Sequence, residues 1–361
     1  MSSRMENTGR RFLWLRERFA GWIGSHSGYE PLFREIQACY AGDYVSFWRD
    51  EGHRLPRHVF YPHYLLSMTA HPRSSYNVYG SHAETTALWH CLRNKPDLMH
   101  YASVERQLRL LPYVKKRLKT KVVGTSHQNI GYWEDHRIPL DILSSLDELI
   151  VVSNRQKREY EPILPGRVHF IPHGVDTGFF HPTEKNEECL RCVYAGVWQR
   201  DSPTMVGVVE KLLAERPKTH LDLVVPREFH TPFSALMNKE GVTIHSNITD
   251  EELRDVYRKA SLLILPLTDC TANNTILEAM ACGLPIVSND VGGIRDYVTS
   301  DFSSLHPVGD VEGMVESALN LLEKPGLLSR MSESSRKHAV ENFGWERIAE
   351  KVVGLYDKTL V

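Results

Sequence analysis

Short apolar runs recur along the 361-residue chain at 12–15, 122–124, 149–153, 168–171, 192–196, 221–225, 242–245, 262–266 and 285–288, with helix-length segments between them. Runs rich in Val, Ile and Leu that do not alternate with polar residues read as strands buried on both faces of a parallel sheet. The pattern predicts repeated βαβ units, hence an α/β chain with doubly wound sheets. Between 172 and 188 the sequence turns to Pro, Gly and charge, and strand signals resume at Cys192, which places a domain boundary there. We expect one domain over 1–172, a second over 173–342, and a closing segment, 343–361. In that segment Ile348, Val352, Leu355 and Tyr356 stand at helical spacing, so it forms a helix free to pack back on the N-terminal domain.

The densest chemical signal is 261–298, SLLILPLTDCTANNTILEAMACGLPIVSNDVGGIRDYV. A buried strand over 262–266 runs into a polar loop over 268–274. A helix then starts near Asn273 and stops at Cys282 and Gly283, ahead of Pro285. This order aims first-turn amides at whatever lies beyond the strand's carboxyl end, where open α/β sheets bind ligands and where a phosphate is well received. Glu278 lies one turn inside the helix; a carboxylate there needs partners, such as the hydroxyls of a ribose.

These residues resemble the donor-binding motif of the family 4 glycosyltransferases, retaining enzymes of the GT-B fold with two Rossmann-like domains facing across a cleft. In that family a Glu, seven residues and a second Glu lead into LEAMACGLPIV and a VGG turn; 277–287 and 291–293 match here. The likeness extends to IPHGVDTGFF (171–180), VVGTSH (122–127), 151–154 and 194–196, and covers most of 120–300. The resemblance implies that Glu278 binds the nucleotide ribose, and that the amides of Asn273 and Asn274 face the donor phosphates and sugar. The motif's first Glu falls on Cys270, with Asp269 as the adjacent acid. In YAGVWQRDS (194–202) Gly196 is kept, Val197 stands where the family has Arg, and Arg200 is the cation for the diphosphate. A guanidinium suits that task because it is always charged and forks onto two oxygens.

His127 ends the VVGTSH strand and is expected to hold the donor sugar or its phosphate, whereas His100 and His173 are expected to be structural. After the first strand, FAGWIGSHSGYEPLF supplies the glycine loop that the family places between donor and acceptor, with Gly24, His26, Ser27 and Gly28 along it and Tyr29 beside it. It lacks the GxGxxG spacing of a nicotinamide enzyme.

Composition sets outer limits. With 42% apolar and 24% charged residues the chain is globular, since disordered chains bury too little to fold. Apolar stretches are far shorter than the ~18 residues of a membrane span, and no secretory h-region opens the chain, so we expect a cytoplasmic protein. One CxxC, Cys189 and Cys192, stands without a second pair, and neither HExxH nor a paired acidic motif suggests a metal. Residues 1–172 hold 24 Lys and Arg against 17 Asp and Glu, and 173–361 hold 19 against 28. The basic half includes 104–121, where Val104, Leu108, Leu111, Val114 and Leu118 stand at helical spacing, interrupted by Pro112, and make an amphipathic stripe that either contacts an anionic membrane face or packs on the sheet.

The expectation is a retaining, metal-independent glycosyltransferase without a cofactor. It takes a nucleotide diphosphate sugar as donor and a saccharide or lipid-linked acceptor, with no nucleic-acid partner. A nucleotide-sugar epimerase of the same fold and a non-catalytic sugar-nucleotide-binding scaffold are the competing classes. The LEAMACGLPIV and HGVD segments favour the transferase.

Overall fold

The computed structural model describes residues 9–18, 26, 28–50, 54–70, 76–183 and 190–361. Among them, twelve strands form two six-stranded parallel sheets. The first comprises β1 (Arg11–Arg18), β2 (Asp43–Asp50), β3 (Leu98–Tyr101), β4 (Lys121–Ser126), β5 (Glu148–Val151) and β6 (Val168–Phe170), in the order β2-β1-β3-β4-β5-β6. The second comprises β7 (Arg191–Ala195), β8 (His220–Val224), β9 (Val242–His245), β10 (Leu262–Leu265), β11 (Ile286–Asn289) and β12 (Ser303–His306), in the order β12-β11-β10-β7-β8-β9. The nine apolar runs all fall on strands. In each sheet the strand order reverses once, between β1 and β3 and between β7 and β10, and such reversals open a crevice at the carboxyl ends of the strands.

The chain divides into two compact units. One holds β1 through His173 together with 346–361; the other holds 174–345, with His26 and Gly28. In the first unit the sheet buries Leu13, Leu15, Met99, Val122, Leu149 and Val151. The helix Trp345–Leu360 ends the chain, and its Ile348, Val352 and Tyr356 are fully buried. Tyr356 places its hydroxyl 2.6 Å from His100 Nδ1, and His100 Nε2 lies 2.8 Å from Thr125 Oγ1. Both ring nitrogens are thereby engaged inside the sheet's flank. Burial pushes the His100 imidazole down to about 3, so the ring is neutral.

The segment 104–121 is broken, in keeping with the interruption expected at Pro112, which opens its second turn. It forms two four-residue turns, Val104–Gln107 and Leu111–Val114, and a 3-10 turn, Lys115–Arg117. The break is anchored by Glu84, buried in the helix Val78–Asn94, whose carboxylate accepts from the amides of Arg109, Leu110 and Leu111 at 2.9–3.1 Å and from the hydroxyls of Tyr76 and Tyr101. Amides that would bond within a helix are diverted to a side chain. Val104, Leu108 and Leu111 consequently lie in the core, and Lys115 pairs with Asp147.

In the second unit Val175 N donates to Phe343 O at 2.8 Å, so the HGVD segment runs beside the end of the helix Pro325–Phe343. A Cβ on Gly174 would come within 2.4 Å of the Trp345 ring, which explains a glycine there. The helix Asp250–Lys259 opens on a full capping box, Thr249 with Glu252.

Candidate functional site

The site grows from the β7/β10 reversal. β10 is fully buried, and the chain leaving it is fixed by Asn289, whose Oδ1 accepts from Leu267 N at 2.7 Å while its Nδ2 donates to Pro307 O at 2.6 Å. The loop after β7 pairs with the loop after β10: Asp201 N donates to Pro266 O and Thr268 N to Gln199 O, each at 3.0 Å. Gly196 begins the first loop at φ +86°, and a Cβ there would meet Arg200 Nη2 at 2.9 Å. This is a position for glycine on both counts.

Arg200 therefore folds back over the strand ends. Its Nε donates to Ala195 O (3.0 Å), Nη1 to Trp198 O (2.9 Å) and Nη2 to Thr275 Oγ1 (3.1 Å) and Asn273 Oδ1 (3.4 Å). Burial lowers its pKa, yet a guanidinium remains charged. The helix Asn274–Ala281 starts at the same place, with Asn273 as N-cap accepting from Ile276 N at 3.2 Å. The predicted start and stop both hold: Cys282 is the C-cap and Gly283 follows at φ +73°. Helix-end amides, the macrodipole and one fixed cation thus converge, which is the electrostatics a diphosphate needs.

Glu278, 5% exposed, lies one turn into this helix, and its Oε2 accepts from Tyr257 OH at 3.0 Å. Burial and the neighbouring carboxylate raise the Tyr257 phenol well above its usual range, so it stays a donor. Asp269 is half-buried, its Oδ1 accepting from Cys270 N at 2.8 Å. Cys270 turns into the core at 2% exposure, and burial pushes its thiol up to about 12. The VGG turn presses on this peptide: Gly293 N donates to Cys270 O at 2.7 Å, and a Cβ on Gly292 would lie 2.0 Å from that oxygen and 2.6 Å from Asp269 Oδ1. The motif's glycines are explained by this close approach.

In the first unit His127 follows β4. Its Nε2 donates to Ala102 O at 2.9 Å and its amide to Glu105 Oε1 at 3.2 Å, while the ring meets Tyr29 edge-on at 4.8 Å. Burial lowers its pKa, so the ring is neutral and Nδ1 is its acceptor nitrogen. The loop residue His26 stacks on Phe179 at 3.7 Å and donates from Nδ1 to Asp176 at 2.7 Å. Gly28 has φ +78°; Gly24 and Ser27 lie outside the described residues.

The structure thus brings together Gly196, Arg200, Asn273, Asn274 and Glu278 in the second unit, with Asp269 and Cys270 on the adjoining loop. Sequence reasoning missed Thr275 and Tyr257. A hydroxyl in the first turn of the helix hints at the former; no local signal marks the latter.

Residues 193–324 match the profile of "Glycosyl transferases group 1" and residues 41–179 that of "Glycosyltransferase Family 4". The chain belongs to the family 4 glycosyltransferases, and its paired parallel sheets are the GT-B fold. It is 28% identical to MMP alpha-(1->4)-mannosyltransferase of Mycolicibacterium hassiacum, over 61% of this chain and 56% of that protein, little more than half the relative's length. It is 24% identical to alpha-maltose-1-phosphate synthase of Mycobacterium tuberculosis, over 80% of this chain and 81% of that one. Among solved structures, sucrose-phosphate synthase from Thermosynechococcus elongatus superposes with TM-score 0.74 at 18% identity, covering 97% and 99% of the two chains. Anabaena HepE in complex with UDP and glucose superposes with TM-score 0.71 at 12% identity, covering 97% and 100%.

Proposed function

We propose that this chain moves a sugar from a nucleoside diphosphate sugar to an acceptor hydroxyl with retention of anomeric configuration and without a metal ion. The observation that carries the reading is Arg200, held by Thr275 and Asn273 at the N-terminus of the Asn274–Ala281 helix. As the bond from the anomeric carbon to the phosphate oxygen breaks, charge accumulates on the diphosphate, and a fixed cation with oriented amides stabilises that charge more than the ground state. The bond to the acceptor oxygen forms on the face the phosphate leaves. The acceptor proton passes to the departing phosphate oxygen.

Glu278 is the ribose partner in this reading, Asn273 and Asn274 face the diphosphate, and Asp269 takes a sugar hydroxyl in place of the acid absent at Cys270. His127 is the imidazole assigned in this reading to the donor sugar or its phosphate. The acceptor, a saccharide or lipid-linked glycan, is assigned to the first unit. To an anionic surface, segment 104–121 offers the exposed cations Lys116, Arg117 and Lys119 beside the exposed Tyr113, while Val104, Leu108 and Leu111 are in the core.

The test is incubation with a panel of nucleotide sugars, with and without saccharide and lipid acceptors, in the presence of a chelator. We expect glycosylated acceptor with the donor's anomeric configuration. Inverted product overturns retention, loss of turnover with chelator overturns metal independence, and isomerised donor formed without acceptor points to an epimerase.

A further inference from the structure

The helix Arg57–Ala70 in the first unit buries one face and leaves the other bare. Its inner face carries Ser67, which is buried, and His63, whose Nδ1 lies 3.3 Å from Ser81 Oγ on the neighbouring helix Val78–Asn94. Its outer face carries Tyr61 (59% exposed), Tyr64 (43%), Leu65 (63%) and Met68 (45%). These four are spaced three and four apart, hence on one stripe of the helix. A lone exposed apolar residue needs no explanation, but four in eight positions on one helix do.

Charge says what covers them. No Asp or Glu occurs between Glu51 and Glu84, while Arg54, Arg57 and Arg73 and five histidines do. Arg54, Arg57 and His58 are exposed at the start of the same helix. An apolar stripe with tyrosines, flanked by cations and free of acids, has the composition of a helix lying in the plane of a lipid interface, where aromatic rings sit at headgroup depth and arginines meet phosphate. A second copy of the chain is a poorer partner, since a two-fold contact would set this acid-free stretch against itself.

We propose that the outer face of Arg57–Ala70 docks on an anionic bilayer, with Tyr61, Tyr64, Leu65 and Met68 entering the headgroup region and Arg54 and Arg57 contacting lipid phosphates. The docking is independent of segment 104–121 and of sugar transfer.

The test is cosedimentation of the full chain with phosphatidylcholine vesicles with and without phosphatidylglycerol, no nucleotide sugar being present. Wild type should pellet with the anionic vesicles at low salt, and release at high salt. Combined replacement of Tyr61, Tyr64, Leu65 and Met68 by Ser, all exposed, should lower partitioning about tenfold or more at unchanged Tm. Arg54→Gln with Arg57→Gln should also lower it, whereas Lys116→Gln, Arg117→Gln and Lys119→Gln together should leave it largely in place. Wild type that stays in the supernatant with anionic vesicles overturns the proposal, as does undiminished binding of the Ser variant. A wild type that sediments as a dimer, with the Ser variant a monomer, assigns the face to a second copy and overturns it equally.

Discussion

The hydroxyl of Tyr257 donates to the carboxylate of Glu278 across 3.0 Å inside the second unit. The pair joins the helix Asp250–Lys259 to the helix whose first turn faces the proposed diphosphate. It holds the carboxylate in place, so in the proposed ribose-binding role the ordering of that side chain would add little to the entropic cost of binding.

Glu278→Gln keeps an oxygen for Tyr257 and removes the charge. Its affinity for the cognate nucleoside diphosphate should fall by about 1.5–3 kcal/mol, the range for a hydrogen bond to a charged group, with Tm near wild type. Tyr257→Phe should do the reverse, costing about 1–3 kcal/mol of stability by depriving a buried acceptor and changing affinity less. Calorimetry of both variants checks the split; unchanged affinity of Glu278→Gln would defeat the ribose assignment.

Arg200→Ala should reduce turnover by about a hundredfold, the scale for losing one preorganised donor to developing charge, and weaken donor binding far less. Arg200→Lys should restore only part of the turnover, because an ammonium cannot fork between Thr275, Asn273 and a phosphate. Steady-state kinetics and binding measured on the same preparations separate the two effects. Wild-type turnover in Arg200→Ala would reduce the residue to a loop fastener.

What the sequence revealed, and what it hid, follows from the range of each interaction. The helix Asn274–Ala281 was legible to the residue because its start and stop are local: Asn273 caps its own helix and Gly283 adopts a conformation few other residues tolerate. Strands β2, β3 and β12 escaped notice for a common reason, that polar residues interrupt them. β12 (SSLH) is a half-buried edge, β2 carries Asp, Ser and Arg, and β3, wholly buried, contains His100 satisfied by Thr125 and Tyr356. The break in 104–121 is announced locally by Pro112, but its anchor, Glu84, lies more than twenty residues away, and a local hydrophobic period carries no trace of that partner. In the site, Gly196 and Glu278 belong to a recognisable motif, whereas Thr275 and Tyr257 matter through partners brought close only by folding.

Glu105 should make the protein less stable as pH rises. Burial pushes its carboxyl up to about 7 from an ordinary 4.5, so the folded state holds a proton that the unfolded state has released. A raised folded pKa confers stability that is full below about 4.5 and lost as pH climbs through about 7, on the order of 3 kcal/mol in all. Glu105→Gln should flatten the fall of Tm between pH 5 and 8, as read by thermal melts across that range. A wild-type slope equal to the variant's would show that Glu105 ionises normally.

His100 acts in the opposite sense. Its folded pKa, about 3, lies below the unfolded value near 6.5, so its contribution is full above 6.5 and is lost as pH falls toward 3. Protonation would place a charge between Tyr356 and Thr125 in the core. Removing the titratable ring in His100→Asn should therefore reduce the drop in Tm between pH 6.5 and 4, compared with wild type. Equal slopes would count against a neutral, buried imidazole.

The most discriminating substitution is Asp269→Asn. The family's first motif acid is absent at Cys270, whose thiol is buried and uncharged and so a weak acceptor for a sugar hydroxyl. Asp269 stands one residue earlier on a loop shaped from below by the VGG turn, where Gly292 leaves room for Cys270 O and Asp269 Oδ1 that no Cβ would permit. Asparagine retains an Oδ1 able to accept from Cys270 N, so the loop's internal hydrogen bond survives and only the charge and one acceptor oxygen are lost. If Asp269 binds the donor sugar, transfer should fall by about ten- to a hundredfold, the equivalent of a hydrogen bond to a charged group, while nucleoside diphosphate affinity and Tm stay near wild type. A purely structural Asp269 predicts transfer kinetics intact. Gly292→Ala supplies the companion measurement: the added methyl must displace the Asp269–Cys270 peptide, so transfer should fall even though no charged group has been touched. Normal transfer in Asp269→Asn would leave the sugar without this contact and return the acid to a role in the loop alone.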